Sequence, residues 1–351
     1  MAEATLLQEV VDQARRHPGL LGKAPIGLVA EAFGPTDWLS GPGDDGAVIP
    51  DGAEGSGRRG PGNPEGVPRS DKEDLQGGAP VGRGSLVVGG EAMLPRFVEA
   101  DPFSTGVSAV LTNVNDLCAM GAWPMAIVDT VVGPEAVARR VLDGLRHGSE
   151  LYRVPVVGGH LTISDGPAAV SAFGLGRAGA LLSVRAAAAG QVLLVACCLD
   201  GTMRPDFPFF SSLGARGGLV AEDVRLLPRV AETGACVAAK DVSMAGLLGS
   251  LAMLLEYGRL GTCVDLDALP RPAGVPLPRW VVAFPAFSFL LCAPPERVGD
   301  CRRPFLERGL SCEPVAVLDG SGELRVRLGD AEALVLDLNR ERVTGLSGRS
   351  A

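Results

Sequence analysis

Between residues 104 and 121 the apolar residues Val107, Val110, Leu111, Val114 and Leu117 recur at three- and four-residue steps, which predicts a helix with one buried face that Gly121 is placed to end. The run PMAIVDTVV (124–132) then predicts a strand, followed by a helix from about Pro134 to Tyr152. VPVVGGH (154–160) reads as a buried strand ending in glycines, and AAVSAFGLGRA (168–178) as another strand. Small residues and a turn near 180–190 predict a boundary between a domain at 1–180 and one at 181–351. Beyond it the chain predicts a strand at QVLLVACCL, a helix around 219–233, a strand at CVAAKDV and a helix over 243–257. That last helix carries Met244, Leu247, Leu248, Leu251 and Leu255 on one face. Strands at TCVDLDAL and WVVAFPAFSFLLCA, a helix near 295–308 and two C-terminal strands complete it. Pro285 makes the apolar run 280–293 a bent core strand, not a membrane span. The expected fold is two α/β or α+β domains of similar size.

Residues 51–85 break the pattern. Their ten glycines and four prolines, with almost no large apolar residue, cannot bury enough surface to offset ordering entropy. They predict a flexible insertion. SLVVGGE (85–91) resumes a strand.

Composition narrows the function classes. A formal charge of −9 argues against a nucleic-acid binder. No run of 18 apolar residues could span a bilayer. The N-terminus is charged and amphipathic, unlike a secretory signal. Eight cysteines form no C-x-x-C pair and most lie in apolar runs, which predicts buried, reduced thiols in a cytoplasmic protein.

The candidate chemistry is acidic. Asp44 and Asp45 sit side by side after a glycine turn, where like charges repel unless a cation or donors lie between them. Glu91 ends a strand, Asp116 lies on the 104–121 helix beside Asn113 and Asn115, and Asp241 follows the apolar strand CVAAK. Each has a plain alternative: a solvated turn, a water-facing strand end, a solvated helical charge, a helix N-cap. Yet each stands isolated among apolar or small residues, where a lone charge is costly. Oxygen ligands from separated segments are how Mg²⁺ is held together with substrate phosphates.

GDDGAVIP, VLTNVNDLCAMGAWPMAIVD, VPVVGGHLT and AAKDVSMAGLLGSLAMLLE occur in the order seen in the aminoimidazole ribonucleotide (AIR) synthase superfamily. The resemblance covers roughly residues 20–345 and lies nearest the AIR synthase-related branch. It implies an N-terminal α/β domain whose strands form a barrel across a homodimer, an α+β C-terminal domain, and ATP with Mg²⁺ in the cleft. Asp44 or Asp45, Asp116 and Asp241 match metal positions, and Glu91 stands where most members have Asp. Gly158, Gly159 and His160 match a glycine turn that reads GGD in thiamine-monophosphate kinase, GGE in AIR synthase and GGH in selenophosphate synthetase. Asn113, Asn115 and Lys240 fall in the same motifs, as nucleotide contacts. Lys23 lacks the neighbouring Cys or Sec of selenophosphate synthetase and reads as a solvated lysine. No Walker-type phosphate loop is present. The resemblance implies an ATP- and Mg²⁺-dependent enzyme acting on a small molecule. Thiamine-monophosphate kinase, a selenophosphate synthetase-like enzyme and a non-catalytic ATP-binding partner protein are the alternatives. No catalytic residue is assigned. The stretch MRPDFPFFSS (203–212) contributes either to the cleft or to packing.

Overall fold

The computed structural model describes residues 2–33, 44–50 and 84–346. The flexible insertion expected at 51–85 lies outside the described residues except for Ser85, which opens a strand.

Fifteen strands follow in chain order among the described residues. They are β1 (Ala47–Pro50), β2 (Ser85–Ala92), β3 (Trp123–Gly133), β4 (Val156–Ile163), β5 (Ala169–Ala178), β6 (Val192–Cys197), β7 (Thr202–Met203), β8 (Phe209–Ser211), β9 (Ala238–Asp241), β10 (Gly261–Asp265), β11 (Phe284–Pro285), β12 (Ser288–Ala293), β13 (Ser311–Asp319), β14 (Glu323–Leu328) and β15 (Ala331–Asp337). The first five form one open sheet, ordered β1-β2-β5-β3-β4 and antiparallel except between β3 and β4. A seven-stranded sheet, β15-β14-β10-β13-β6-β12-β9, carries the second half, and β11-β8-β7 make a small third one. Neither large sheet closes on itself.

Helices Pro102–Ala119 and Glu135–Tyr152 cover one face of the first sheet. Asp101 caps the former by accepting from the Ser104 N–H at 3.1 Å, and Gly121, at φ 75°, lies just beyond its end. The two helices touch backbone to backbone. A Cβ at Gly106 would meet the Val141 carbonyl at 2.1 Å, so only glycine permits the crossing.

Several expectations need correction. β4 is not buried: it is the edge of its sheet and exposes side chains on both faces, Val157 at 63%. The helix expected around 219–233 is two, Val220–Val224 and Leu226–Glu232, because Pro228 has no N–H to bond the Val224 carbonyl. The apolar run 280–293 is a helix end at Trp280 followed by β11 and β12, not one bent strand. The C-terminus folds as three strands, not two, since the tight turn after Leu328 reverses the chain once more. The N-terminal helix Ala2–Arg16 does not serve the first sheet: Leu7, Val10 and Val11 lie in the second core with Val335 and Leu336. The aromatics of 203–212 pack structurally, Phe210 edge-on to Trp280 and Phe209 against Phe284. All eight cysteines are free, seven of them buried. Among the described residues no helix is long and apolar enough to cross a membrane.

Candidate metal centre

The two adjacent aspartates that the sequence left undivided take different partners. Asp44 turns toward the second half of the chain, where its Oδ2 accepts from Ser183 Oγ at 2.5 Å and its Oδ1 from the Val184 N–H at 3.4 Å. Asp45 accepts from the Asp241 N–H at 3.1 Å through Oδ2, and from the Lys240 ammonium through Oδ1. Lys240 Nζ also donates to Asp241 Oδ1 at 2.9 Å. Asp116 projects from helix Pro102–Ala119 into the same place. One carboxylate oxygen from each of Asp45, Asp116 and Asp241 lies within 4.8 Å of the others.

These groups arrive from three elements. Asp45 precedes β1, Asp116 sits in the last turn of its helix, and Asp241 ends β9. Asp241 ends a strand, and the following helix begins only at Gly246 with Ala245 as its N-cap, so the helix-cap alternative for Asp241 falls away.

Burial sets the electrostatics. Loss of hydration pushes the Asp45 carboxyl up to about 7, with Asp241 and Asp44 adding to the rise and Lys240 opposing it. Asp116, only 8% exposed, is raised well above the usual carboxylate range by burial and then by Asp241, Glu91 and Asp45. Asp44 is raised by burial and eased by its bonds to Ser183 and Val184. Burial alone would lower Lys240, but Asp241 and Asp45 outweigh it and hold the ammonium charged.

Glu91, on the end of β2, keeps solvent contact and is not one of the three converging carboxylates. The recess around it still removes enough water to raise its carboxyl, and Asp241 raises it further while Lys23 pulls it down. Lys23 is thus half-buried beside the acidic group, not the freely solvated lysine expected.

Asn113 and Asn115 hold the frame. Asn113 Nδ2 donates to the Ala109 and Ala172 carbonyls, tying the helix to β5. Asn115 Nδ2 donates to the Ala286 carbonyl at 3.1 Å, tying the same helix to the second half of the chain. Their Nδ2 groups bond backbone, and only their buried Oδ1 atoms lack a partner among the described residues. Gly158, Gly159 and His160 form no turn; they lie within β4, exposed. β3 and β5 stand between β4 and β2, which puts them roughly 14 Å from Glu91 at ordinary strand spacing. The physical need for Gly159 is local: a Cβ there would meet the Asp129 backbone oxygen at 2.5 Å and its carboxylate at 2.8 Å.

Asp129 is the acidic residue the sequence did not single out. It shares a cross-strand row with Glu91, Ala172 and Gly159, is buried, and is raised by that burial. The lone carboxylate inside the apolar strand run PMAIVDTVV is the signal for it in the sequence.

Known proteins share this arrangement of chain. Residues 79–178 match the family described as AIR synthase related protein, N-terminal domain, and residues 218–329 its C-terminal domain. The chain belongs to the AIR synthase related family. This AIR synthase related chain is 34% identical to an uncharacterized protein of Synechocystis sp. over 77% of its own length and 85% of the relative's. It is 25% identical to phosphoribosylformylglycinamidine synthase subunit PurL of Azorhizobium caulinodans, over 71% of this chain but 36% of that protein. A thiamine-monophosphate kinase of Rhodopirellula baltica is 30% identical over 47% of the chain and 50% of its own length. Among solved structures, Thermotoga maritima PurL complexed with ATP superposes with a TM-score of 0.60 at 22% identity, over 73% of this chain and 44% of that one. AaThiL complexed with AMPPCP and TMP superposes with a TM-score of 0.61 at 16% identity, over 88% and 95%. These likenesses establish the two-domain AIR synthase-like fold. The chain spans less than half of the PurL structures it resembles.

Proposed function

We propose that this chain is an ATP- and Mg²⁺-dependent enzyme that activates or phosphorylates a small-molecule substrate. The observation that carries the proposal is the convergence of Asp45, Asp116 and Asp241, from three separate elements, to within 4.8 Å. Three hard oxygen donors at one buried point suit Mg²⁺, and Asp116 has no hydrogen-bond donor of its own among the described residues to account for its burial. Asp45, Asp116 and Asp241 would hold the ion, with Glu91 at the rim. Bound Mg²⁺ supplies neutralisation of phosphate charge. The chain's own part is orientation. The Asp241 N–H fixes the Asp45 carboxylate, Lys240 bridges Asp45 and Asp241, and Asn115 fixes the Asp116 helix against the second half. Relatives complexed with ATP or AMPPCP support the choice of nucleotide. Isothermal titration with ATP and Mg²⁺ tests the reading, and absence of binding at millimolar nucleotide overturns it.

Thiamine-monophosphate kinase is the second reading, favoured by the near full-length match to AaThiL. Against it stand His160 in place of an aspartate and KDVSMAG where the kinase carries an ISDG-like run. Turnover of thiamine monophosphate in a coupled assay would establish it. We also propose a homodimer built on the outer face of the five-stranded sheet, where Ile49, Val128 and Phe173 leave large apolar surface uncovered. Sedimentation as a monomer would refute that assembly.

A further inference from the structure

The cluster contains a positive charge that a divalent-ion site does not require. Lys240 Nζ lies on Asp45 Oδ1 and on Asp241 Oδ1, two of the three carboxylates a metal would use. The lysine is buried, its stem comes from the central part of β9, and that strand is pinned by β12 along Ala238–Asp241. Its ammonium therefore has little freedom to leave the neighbourhood.

We propose that Lys240 is a built-in counter-cation that competes with the divalent ion for Asp45 and Asp241, and so makes metal binding depend on the nucleotide. This rests on the metal reading above. Without an anionic ligand, a dication entering beside the ammonium meets its repulsion and must take over oxygens the ammonium already holds. With a nucleotide present, the phosphates offer the displaced ammonium a new partner a short distance away. Metal and nucleotide then favour each other, and the coupling is reciprocal by thermodynamic necessity. A chain with three bare carboxylates would bind the metal alone; this one binds metal and polyphosphate as a pair.

The test is Mn²⁺ binding to the full chain, followed by electron paramagnetic resonance of free Mn²⁺, without and with a non-hydrolysable ATP analogue. Lys240→Met should bind Mn²⁺ alone at least about tenfold more tightly than wild type, since a unit charge at contact distance has been removed. The analogue should tighten Mn²⁺ strongly in wild type and much less in Lys240→Met. Lys240→Arg, which keeps the charge, should behave as wild type. Should Lys240→Met not fold in chelator, Lys240→Gln, which keeps a donor toward Asp45, takes its place against Lys240→Arg with the same expectation. Equal Mn²⁺ affinity in wild type, the neutral variant and Lys240→Arg overturns the competition while leaving the metal site standing. No Mn²⁺ bound by any of them, with or without the analogue, overturns the metal reading itself.

Discussion

Replacing Asp116 by Asn removes one of three crowded charges and keeps the shape. With oxygens within 4.8 Å, each like-charge pair costs about 3.5 kcal/mol or somewhat more at an effective dielectric near 20. Asp116 faces two such neighbours, with Glu91 adding to the repulsion, and attraction to Lys240 offsets only part of it. The remainder is reduced further because the raised Asp116 carboxyl can take up a proton instead of bearing the repulsion. The expected gain in the stability of the metal-free protein is therefore about 1–3 kcal/mol. For a chain of this length, unfolding entropy near 0.7 kcal/mol/K turns that into about 1–4 °C of Tm. The assay is thermal unfolding in chelator and again in millimolar Mg²⁺ with an ATP analogue. Wild type should be the less stable protein in chelator and should gain much more from the ligands. A variant that melts below wild type in chelator, or that gains as much from Mg²⁺ and nucleotide, would show that Asp116 is a structural acid outside any metal site.

Four further outcomes are expected. Asp44→Asn should weaken the tie to Ser183 and Val184, lowering stability while leaving Mg²⁺-nucleotide affinity near wild type; Asp45→Asn should do the reverse, and titration calorimetry beside melting separates the two. Because the Asp45 carboxyl lies near 7 in the folded chain against about 3.8 unfolded, the folded state binds the proton more tightly; its contribution favours folding at acid pH and is lost as pH rises from about 4 through 7. The Tm difference between wild type and Asp45→Asn in chelator should therefore grow more unfavourable to wild type over that window, and a flat difference would refute the shift. Glu256→Gln should cost about 1–3 kcal/mol in urea unfolding, since that buried carboxylate accepts from the N–H groups of Val343, Thr344 and Gly345 and from the Thr344 hydroxyl. Gly159→Ala should destabilise by about 1–3 kcal/mol through the clash with Asp129, and a neutral result would mean β4 shifts freely at its edge.

The sequence carried the elements with strong periodicity and the acids with apolar neighbours. Val107 to Leu117 marked a helix found at Pro102–Ala119, and the isolation of Asp116 and Asp241 among apolar residues reflected a burial that is real. What stayed hidden was decided by residues far away in the chain. Nothing within GDD separates Asp44 from Asp45; Ser183 and Lys240, 139 and 195 positions on, do that. The apolar composition of VPVVGGH could not reveal that its strand would lie at a sheet edge, because edge position is a property of strand order. Asn113 and Asn115 fall in a motif that implies nucleotide contacts, and the sequence could not show that their Nδ2 groups also bond the Ala172 and Ala286 carbonyls on opposite sides of the helix. Asp129 was masked by the very regularity of its strand.

The tie between Asn115 and the Ala286 carbonyl joins the same two halves of the chain that the acids bridge, Asp45 and Asp116 from one and Lys240 and Asp241 from the other. Neither half owns the chemistry. If the chain were cut in the short stretch between residues 178 and 192, each fragment would inherit the strands of one large sheet but an unfinished set of oxygens. The proposed metal and nucleotide binding would then belong to the rejoined pair, and its recovery on mixing would report how faithfully the two fragments find each other.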